Sequence, residues 1–384
     1  MNFLAIKMLM GDRLKYLGLL IGLTFAATLI TQQAAIFMGY TKRMWAFIDD
    51  TPHVDVWVMD PQVRFTEDPK PLQETALLRV RAVEGVEWAL PMYRNNLLVQ
   101  LADGTQEFST IIGVDDATLM GGPTRMIEGT LEDLRQGDGV IVDKGAANGD
   151  LAMTLPDGTK RPLRVGDSLS INDNFARVVG ICDNATAFYW TPVIYTTYGR
   201  AVRFAPPQRK QLTYVLVKAK EGESAEAVAA NITARTGLAA RTRSDFGALT
   251  MWYTLLKTGI LINFGITVGL GFVIGLLVCG QTFFTYVSDN ARLFAALKAL
   301  GLSNVRLLGM IFTQVVVLGL LGFGLGAGIA SISGRFMGLA GVGFHLPWQL
   351  LVGACVGIML ICLASAMLAA LRVLRLEPGV VFKA

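Results

Sequence analysis

Apolar residues fall in four unbroken blocks, from about Tyr16 to Met38, Ile260 to Tyr286, Val305 to Ser331 and Trp348 to Leu371. Each reaches the ~20 residues that a helix needs to cross hydrocarbon. The first block stands alone near the start, and a polar stretch of roughly two hundred residues separates it from the other three. A stretch of that length is enough to bury a core of its own. The first block continues through Ala34, Ala35, Ile36 and Phe37 without a convincing cleavage site, so it reads as a retained span and not a signal peptide.

The pattern predicts an α-helical membrane protein with four transmembrane helices, one plus three, and a large α+β extracytoplasmic domain between the first and second. Residues 1–50 form the N-terminal segment and first span, 51–250 the external domain, and 251–384 the remaining spans and tail. Within the middle stretch, period-2 runs alternate with turn signals. Val54 to Met59, Leu97 to Leu101 and Thr110 to Val114 read as strands, the last two forming a hairpin about Asp103-Gly104. Gly139 to Asp143, Ser168 to Ile171, Ala176 to Ile181 and Pro192 to Tyr195 read likewise, while Leu77 to Val83 is helical in pattern. Leu212 to Lys218, Ser224 to Thr236 and Ala239 to Arg243 form a strand–helix–strand unit, expected as a small subdomain over about 208–245.

Composition agrees with the blocks. Of the residues 53% are apolar and only 17% charged, against about a quarter charged in soluble domains. Lys7, Arg13 and Lys15 precede the first span, Arg292, Lys298 and Arg306 lie between the second and third, and Arg372, Arg375 and Lys383 follow the fourth. The positive-inside rule places those segments and both termini in the cytoplasm, although Lys42 and Arg43 weigh the other way. The net charge of +4 is thus a topology signal and no sign of nucleic-acid binding.

Candidate chemistry is sparse. The two histidines, His53 and His345, lie in separate external segments, so no nucleophile–base set is visible. Asp115-Asp116 and Asp49-Asp50 are neighbours that read as solvated turns. Cys182 is alone in the external domain, which excludes an internal disulfide there, and the four cysteines have no metal-ligand spacing. No metal site is expected. Phe188, Tyr189 and Trp190 belong to an aromatic stretch that either packs in the core or faces a partner or cargo. Gly322-Phe-Gly-Leu-Gly-Ala-Gly328 sits inside a span without a lysine and is no phosphate loop. Instead Gly322/Gly326, Gly265/Gly269 and Gly271/Gly275 place small residues four apart for close helix packing, within the chain or across a dimer. Ionisable residues are absent from mid-span and no Walker motif occurs, so energy must come from another polypeptide.

Between the second and third blocks lies Asp289-Asn-Ala-Arg-Leu-Phe-Ala-Ala-Leu-Lys-Ala-Leu-Gly-Leu-Ser-Asn304. At about 100° per residue, Leu293, Phe294, Leu297 and Leu300 share one arc. Ser288 or Asp289 is placed to cap the start, Gly301 to end the helix in a left-handed turn, and Ser303 to cap the next. On pattern alone the segment is either an interfacial helix resting among headgroups or a contact surface for a motor outside the bilayer.

Residue by residue, the chain resembles the FtsX-like permease family, the membrane subunits of MacB-type (type VII) ABC transporters, and most of all its DevC-like branch. Gly280-Gln-Thr-Phe-Phe-Thr-Tyr286 with Leu297-Lys-Ala-Leu-Gly301 is similar to that branch's second span and coupling helix, here 289–302. Arg372-Val-Leu-Arg-Leu-Glu-Pro-Gly-Val-Val-Phe382 resembles its C-terminal signature, and Gly139 to Asp143 with Val165-Gly-Asp167 and Val178 to Ile181 its periplasmic core. The resemblance implies a non-catalytic permease subunit in the inner membrane, working as a dimer with a cytoplasmic ATPase that holds the ATP and Mg. It further implies a membrane-fusion adaptor and a TolC-like outer-membrane channel, with motion transmitted across the membrane to drive export. Arg292, Phe294, Leu297, Lys298 and Gly301 are the implied ATPase contacts; Leu293 departs from the acidic residue of many relatives. Lipoprotein release and a non-transporting transducer that controls a cell-wall hydrolase are the alternatives within the same architecture.

Overall fold

A computed structural model describes residues 7, 13–184, 191–206, 212–339 and 342–374. The described residues form two compact units, one within Met1–Tyr40 and Thr258–Ala384 and the other Thr41–Lys257.

From Arg13 the described residues form helix α1 (Arg13–Asp49), then β1 (Val56–Met59), α2 (Thr75–Arg81), the long β2 (Val86–Leu101) and β3 (Gln106–Val114). Next come β4 (Met126–Glu128), a 3-10 turn (Leu131–Arg135), β5 (Gly139–Asp143), α3 (Lys144–Asn148), and a ribbon of β6 (Met153–Thr154) with β7 (Lys160–Arg161). Then follow β8 (Ser168–Ile171), β9 (Asn174–Cys182), β10 (Val193–Thr197), α4 (Tyr198–Phe204), β11 (Tyr214–Ala219), α5 (Ala225–Thr236), β12 (Ala239–Thr242) and α6 (Arg243–Lys257). The last four helices are α7 (Ile260–Asp289), α8 (Ala291–Ala299), α9 (Asn304–Leu339) and α10 (Trp348–Leu374).

The second unit is built on one ten-stranded sheet in the order β12-β1-β11-β2-β3-β10-β5-β9-β4, with β8 bridging β2 and β9. β2 holds it together because it changes partners along its length. Val86 to Met92 pair with β11, Tyr93 to Gln100 pair with β3, and Val99 to Leu101 pair with β8 on the other side. The expected strand–helix–strand forms over Tyr214–Ala219, Ala225–Thr236 and Ala239–Thr242, and its strands belong to the same sheet as the rest of the unit. β11 inserts antiparallel between β1 and β2, and β12 pairs with the outer side of β1. Together β1-α2-β2 and β11-α5-β12 make a split β-α-β arrangement, completed by segments more than a hundred residues apart in sequence. Its helices cover one face through Ala76, Val80, Val228 and Ile232, against Val56, Val58, Val215 and Val217. The remaining strands enclose a second core of Val99, Ile111, Val140, Val142, Val178 and Ile194.

Among the described residues four helices are long and apolar enough to span a membrane, over Tyr16–Asp49, Ile260–Asp289, Asn304–Gly338 and Trp348–Met367. Leu19, Leu23, Ala26, Phe283, Val287, Ile311, Val315, Leu318, Ile358 and Ile361 form their shared core. The outward faces are equally apolar, with Ile262, Ile266, Leu270, Leu277, Leu325 and Ile332 exposed, as expected of helices solvated by lipid. The helix of the first span runs on to Asp49, past the apolar block that ends near Met38. Its last turns carry Trp45, Phe47 and Ile48, of which Ile48 is fully buried in the external core. α6 and α7 are separate helices, divided at Gly259, which holds φ +69°.

Candidate functional site: the helix between the second and third spans

α8 is short, and three features seat it. Asn290 Nδ2 donates to the Tyr286 carbonyl at 2.9 Å, closing the turn where α7 ends. The N-cap position falls to Asn290 and not to Ser288 or Asp289, which both belong to α7. At the other end Gly301, at φ +89°, allows the Leu302 amide to bond Leu297 O at 3.2 Å and the Gly301 amide to bond Lys298 O at 3.1 Å. That is a Schellman turn, closed by packing of Leu297 and Leu302 on the same core. A residue with a Cβ would be strained there.

The apolar arc expected from the sequence divides in two. Phe294 is 1% exposed and sits in the span core beside Tyr286, Val287, Leu307 and Ile311, and its neighbour Ala295 is buried as well. Leu293 and Leu300 point the other way, 46% and 79% exposed, and Val305 beyond the turn is 77% exposed. Phe294 is therefore the anchor of the helix and not part of its outer surface. The reason is geometric, because consecutive residues lie about 100° apart and burying Phe294 and Ala295 turns Leu293 outward. Arg292 and Gly301 are exposed, Lys298 is half-buried, and Leu297 is half-buried against the core. An outer face of Arg292, Leu293, Leu300 and Val305 results, of which only Arg292 is among the ATPase contacts that the resemblance implies.

The glycines separate just as clearly. A Cβ on Gly275 would lie 2.9 Å from that of Ala26, one on Gly322 2.7 Å from that of Leu23, and one on Gly326 2.8 Å from Thr24 O and 2.9 Å from Thr28 N. Gly271 has Ile30 at 3.4 Å. These four let α7 and α9 approach α1 closely, whereas Gly265 and Gly269 face open space.

Phe188, Tyr189 and Trp190 lie outside the described residues, as does the tail beyond Leu374. Among the described residues no group of His, Cys, Asp and Glu is arranged to hold a metal. Cys182 is fully buried, and burial pushes its thiol well above the usual range, which disfavours a nucleophilic thiolate. Asp115 is buried and not solvated as expected, bracing its turn by accepting from Thr118 N at 2.8 Å, while Asp116 accepts from Gly199 N at 3.0 Å at the start of α4. Asp116 also lines an open polar cavity of about 410 Å³ with Arg135, Arg200 and Arg203. Each arginine there is engaged: Arg135 with Glu132 at 2.6 Å, Arg203 with Asp138, and Arg200 with Gly139 O at 2.8 Å.

Span-length apolar helices around a packed core, joined to a separate α+β unit, define a multi-pass membrane protein. A model described as the MacB-like periplasmic core domain matches residues 17–235, and one described as the FtsX-like permease C-terminal matches residues 250–378. The chain belongs to this MacB/FtsX-like family of ABC transporter permeases, membrane components of such transporters. No curated protein matches it. Among solved structures it is similar to the extracellular domain of the noncanonic ABC-type transporter YknZ from Gram-positive bacteria. That likeness has 14% identity and a TM-score of 0.34, over 49% of this chain and 98% of the other. The periplasmic region of MacB from Actinobacillus actinomycetemcomitans matches at 10% identity and a TM-score of 0.37, over 54% of this chain and 94% of that one.

Proposed function

We propose that this chain is the membrane subunit of an ATP-driven exporter that works by mechanotransmission. A separate cytoplasmic ATPase binds the outer face of α8, and its closure on ATP and Mg moves the spans and thereby the external unit. The observation that carries the reading is the split of α8 into a buried anchor, Phe294, and an exposed apolar face, Leu293 and Leu300, with Arg292 beside it. A helix fixed from within and apolar on its outer side is suited to pass force from a partner into the spans.

Two copies act together, with both termini cytoplasmic and residues 41–257 in the periplasm. The chain itself is non-catalytic and holds no nucleotide. In the DevC-like arrangement a membrane-fusion adaptor and a TolC-like outer-membrane channel complete the export path. To test this, the tagged chain is extracted from its native membrane in mild detergent with ATP and vanadate. Co-purification of a Walker-motif ATPase with a coiled-coil adaptor is expected. An ATPase with a hydrolase activator would favour the transducer, one with a lipoprotein carrier the lipoprotein-releasing permease, and no ATPase would sink all three.

A further inference from the structure

Within the external unit, two helical segments adjoin the spans in sequence: the end of α1, residues 41–49, and α6. They cross at Trp45 and Gly247, where a Cβ on the glycine would lie 2.8 Å from Cδ2 of the indole. Arg243 at the start of α6 pairs with Asp49 at the end of α1, at 2.8 Å. Each helix then puts one aromatic ring into the sheet. Phe47 lies 5.2 Å from Trp57 of β1, and Phe246 lies 5.7 Å from Trp57 and 5.9 Å from Tyr214 of β11.

A charge closes this box. Arg94 of β2 is 3% exposed, and its guanidinium lies 4.2 Å from the Phe47 ring centre. It donates to Thr66 O and to the Glu67 carboxylate. The segment carrying those acceptors grips α6 in turn: the Thr66 amide donates to Thr250 Oγ1 at 3.2 Å, and Phe65 stacks on Tyr253 at 4.9 Å and 12°. Burial works against the Arg94 charge, but Glu67, Tyr214 and Tyr195 together outweigh it, so the guanidinium stays ionised. A buried ion pair is a poor way to gain stability, since an apolar residue of like volume usually serves as well. Its advantage is direction. One guanidinium fixes β2, the 63–68 segment and the α1 end in a single geometry, and that segment fixes α6.

We infer that Arg94 is the positioning residue of a rigid joint, through which movement of α1 and α6 is carried into the ten-stranded sheet. The inference rests on the mechanotransmission reading above. It is tested on the complete assembly, purified with its ATPase, by amide hydrogen exchange with and without ATP plus vanadate. In the unaltered protein nucleotide is expected to change exchange in residues 41–49, in α6, and in β1, β2 and β11. In Arg94→Met the helices still respond, while the response of the strands falls about threefold or more. Glu67→Gln, which loosens the same joint from the loop side, shifts the strands in the same sense and serves if Arg94→Met does not fold. Unchanged strand responses in folded Arg94→Met and Glu67→Gln would overturn the joint while leaving mechanotransmission standing. No nucleotide response beyond the spans of the unaltered protein would overturn the mechanotransmission reading and the joint with it.

Discussion

The side-chain amide of Gln314 donates to the Tyr286 hydroxyl at 2.9 Å, joining α9 to the last turns of α7 inside the apolar core. Tyr286 is also the residue whose carbonyl receives Asn290 Nδ2, so this pair lies one turn from the seat of α8. Polar bonds between spans are worth about 1 kcal/mol each. Tyr286→Phe leaves the amide one partner short and is expected to lower the unfolding midpoint in detergent. Gln314→Leu does the same, and the double variant recovers part of the loss. Additive losses in that double-mutant cycle would show that the pair is uncoupled.

Gly326 faces Ala27 and Thr28 of the first span, whereas Gly324, two residues earlier, has open space where its Cβ would lie. Gly326→Ala is expected to destabilise the first unit by about 1–3 kcal/mol through overpacking. Gly324→Ala should be neutral or slightly stabilising. Thermal unfolding of both variants in one detergent decides the matter, and equal midpoints would contradict the close approach of α1 and α9.

Phe294 and Leu300 differ in kind, so their substitutions should separate stability from partner binding. Phe294→Ala empties a buried site and is expected to cost about 3–5 kcal/mol. Leu300→Glu lies on an exposed position and should leave the unfolding free energy within about 0.5 kcal/mol of the original. The same change places a charge on the proposed ATPase face, and co-purification of an ATPase should fall sharply. A destabilised Leu300→Glu would mean that this face is already covered by the chain itself.

Acid should loosen the external unit. Bonds from the Thr130 amide at 2.7 Å and its hydroxyl at 2.9 Å hold the Asp133 carboxyl below the usual carboxylate range. Its contribution is present above the unfolded pKa, near 4, and is lost as pH falls through the lower folded value. Asp143 runs in the opposite sense. Burial raises it above the usual range despite bonds from the amides of Asn184, Ala146 and Gly145. Its contribution is greatest below the unfolded pKa and declines as pH rises through the raised folded value. Asp133→Asn should therefore flatten the fall in melting temperature on acidification, and Asp143→Asn should raise stability at neutral pH relative to acid. The two slopes, measured by thermal unfolding over a pH series, check both signs.

Much of this architecture was legible because hydrophobic period separates spans from strands. Gly139 to Asp143 and Ser168 to Ile171 appear as strands at the positions their alternation gives. The hairpin about Asp103-Gly104 joins β2 to β3. What escaped depends on distant partners. The polar tail of the first helix gives no reason to continue to Asp49 until Phe47 and Ile48 meet a core made by β1 and β11. Arg94 looks like an ordinary strand arginine, since Glu67 and Thr66 reach it from another segment. Phe294 and Leu293 are both apolar neighbours, and only the packing of α8 on α7 and α9 says which is the anchor.

The most direct test is photo-crosslinking from the outer face of α8 in native membranes. A photoreactive residue at Leu300, and separately at Leu293, is irradiated with and without ATP plus vanadate, and the adducts are identified by mass. An adduct with a nucleotide-binding subunit at both positions, altered in yield by the nucleotide, is the result expected. Adducts with lipid alone at both positions would contradict the account and identify α8 as an interfacial helix without a motor.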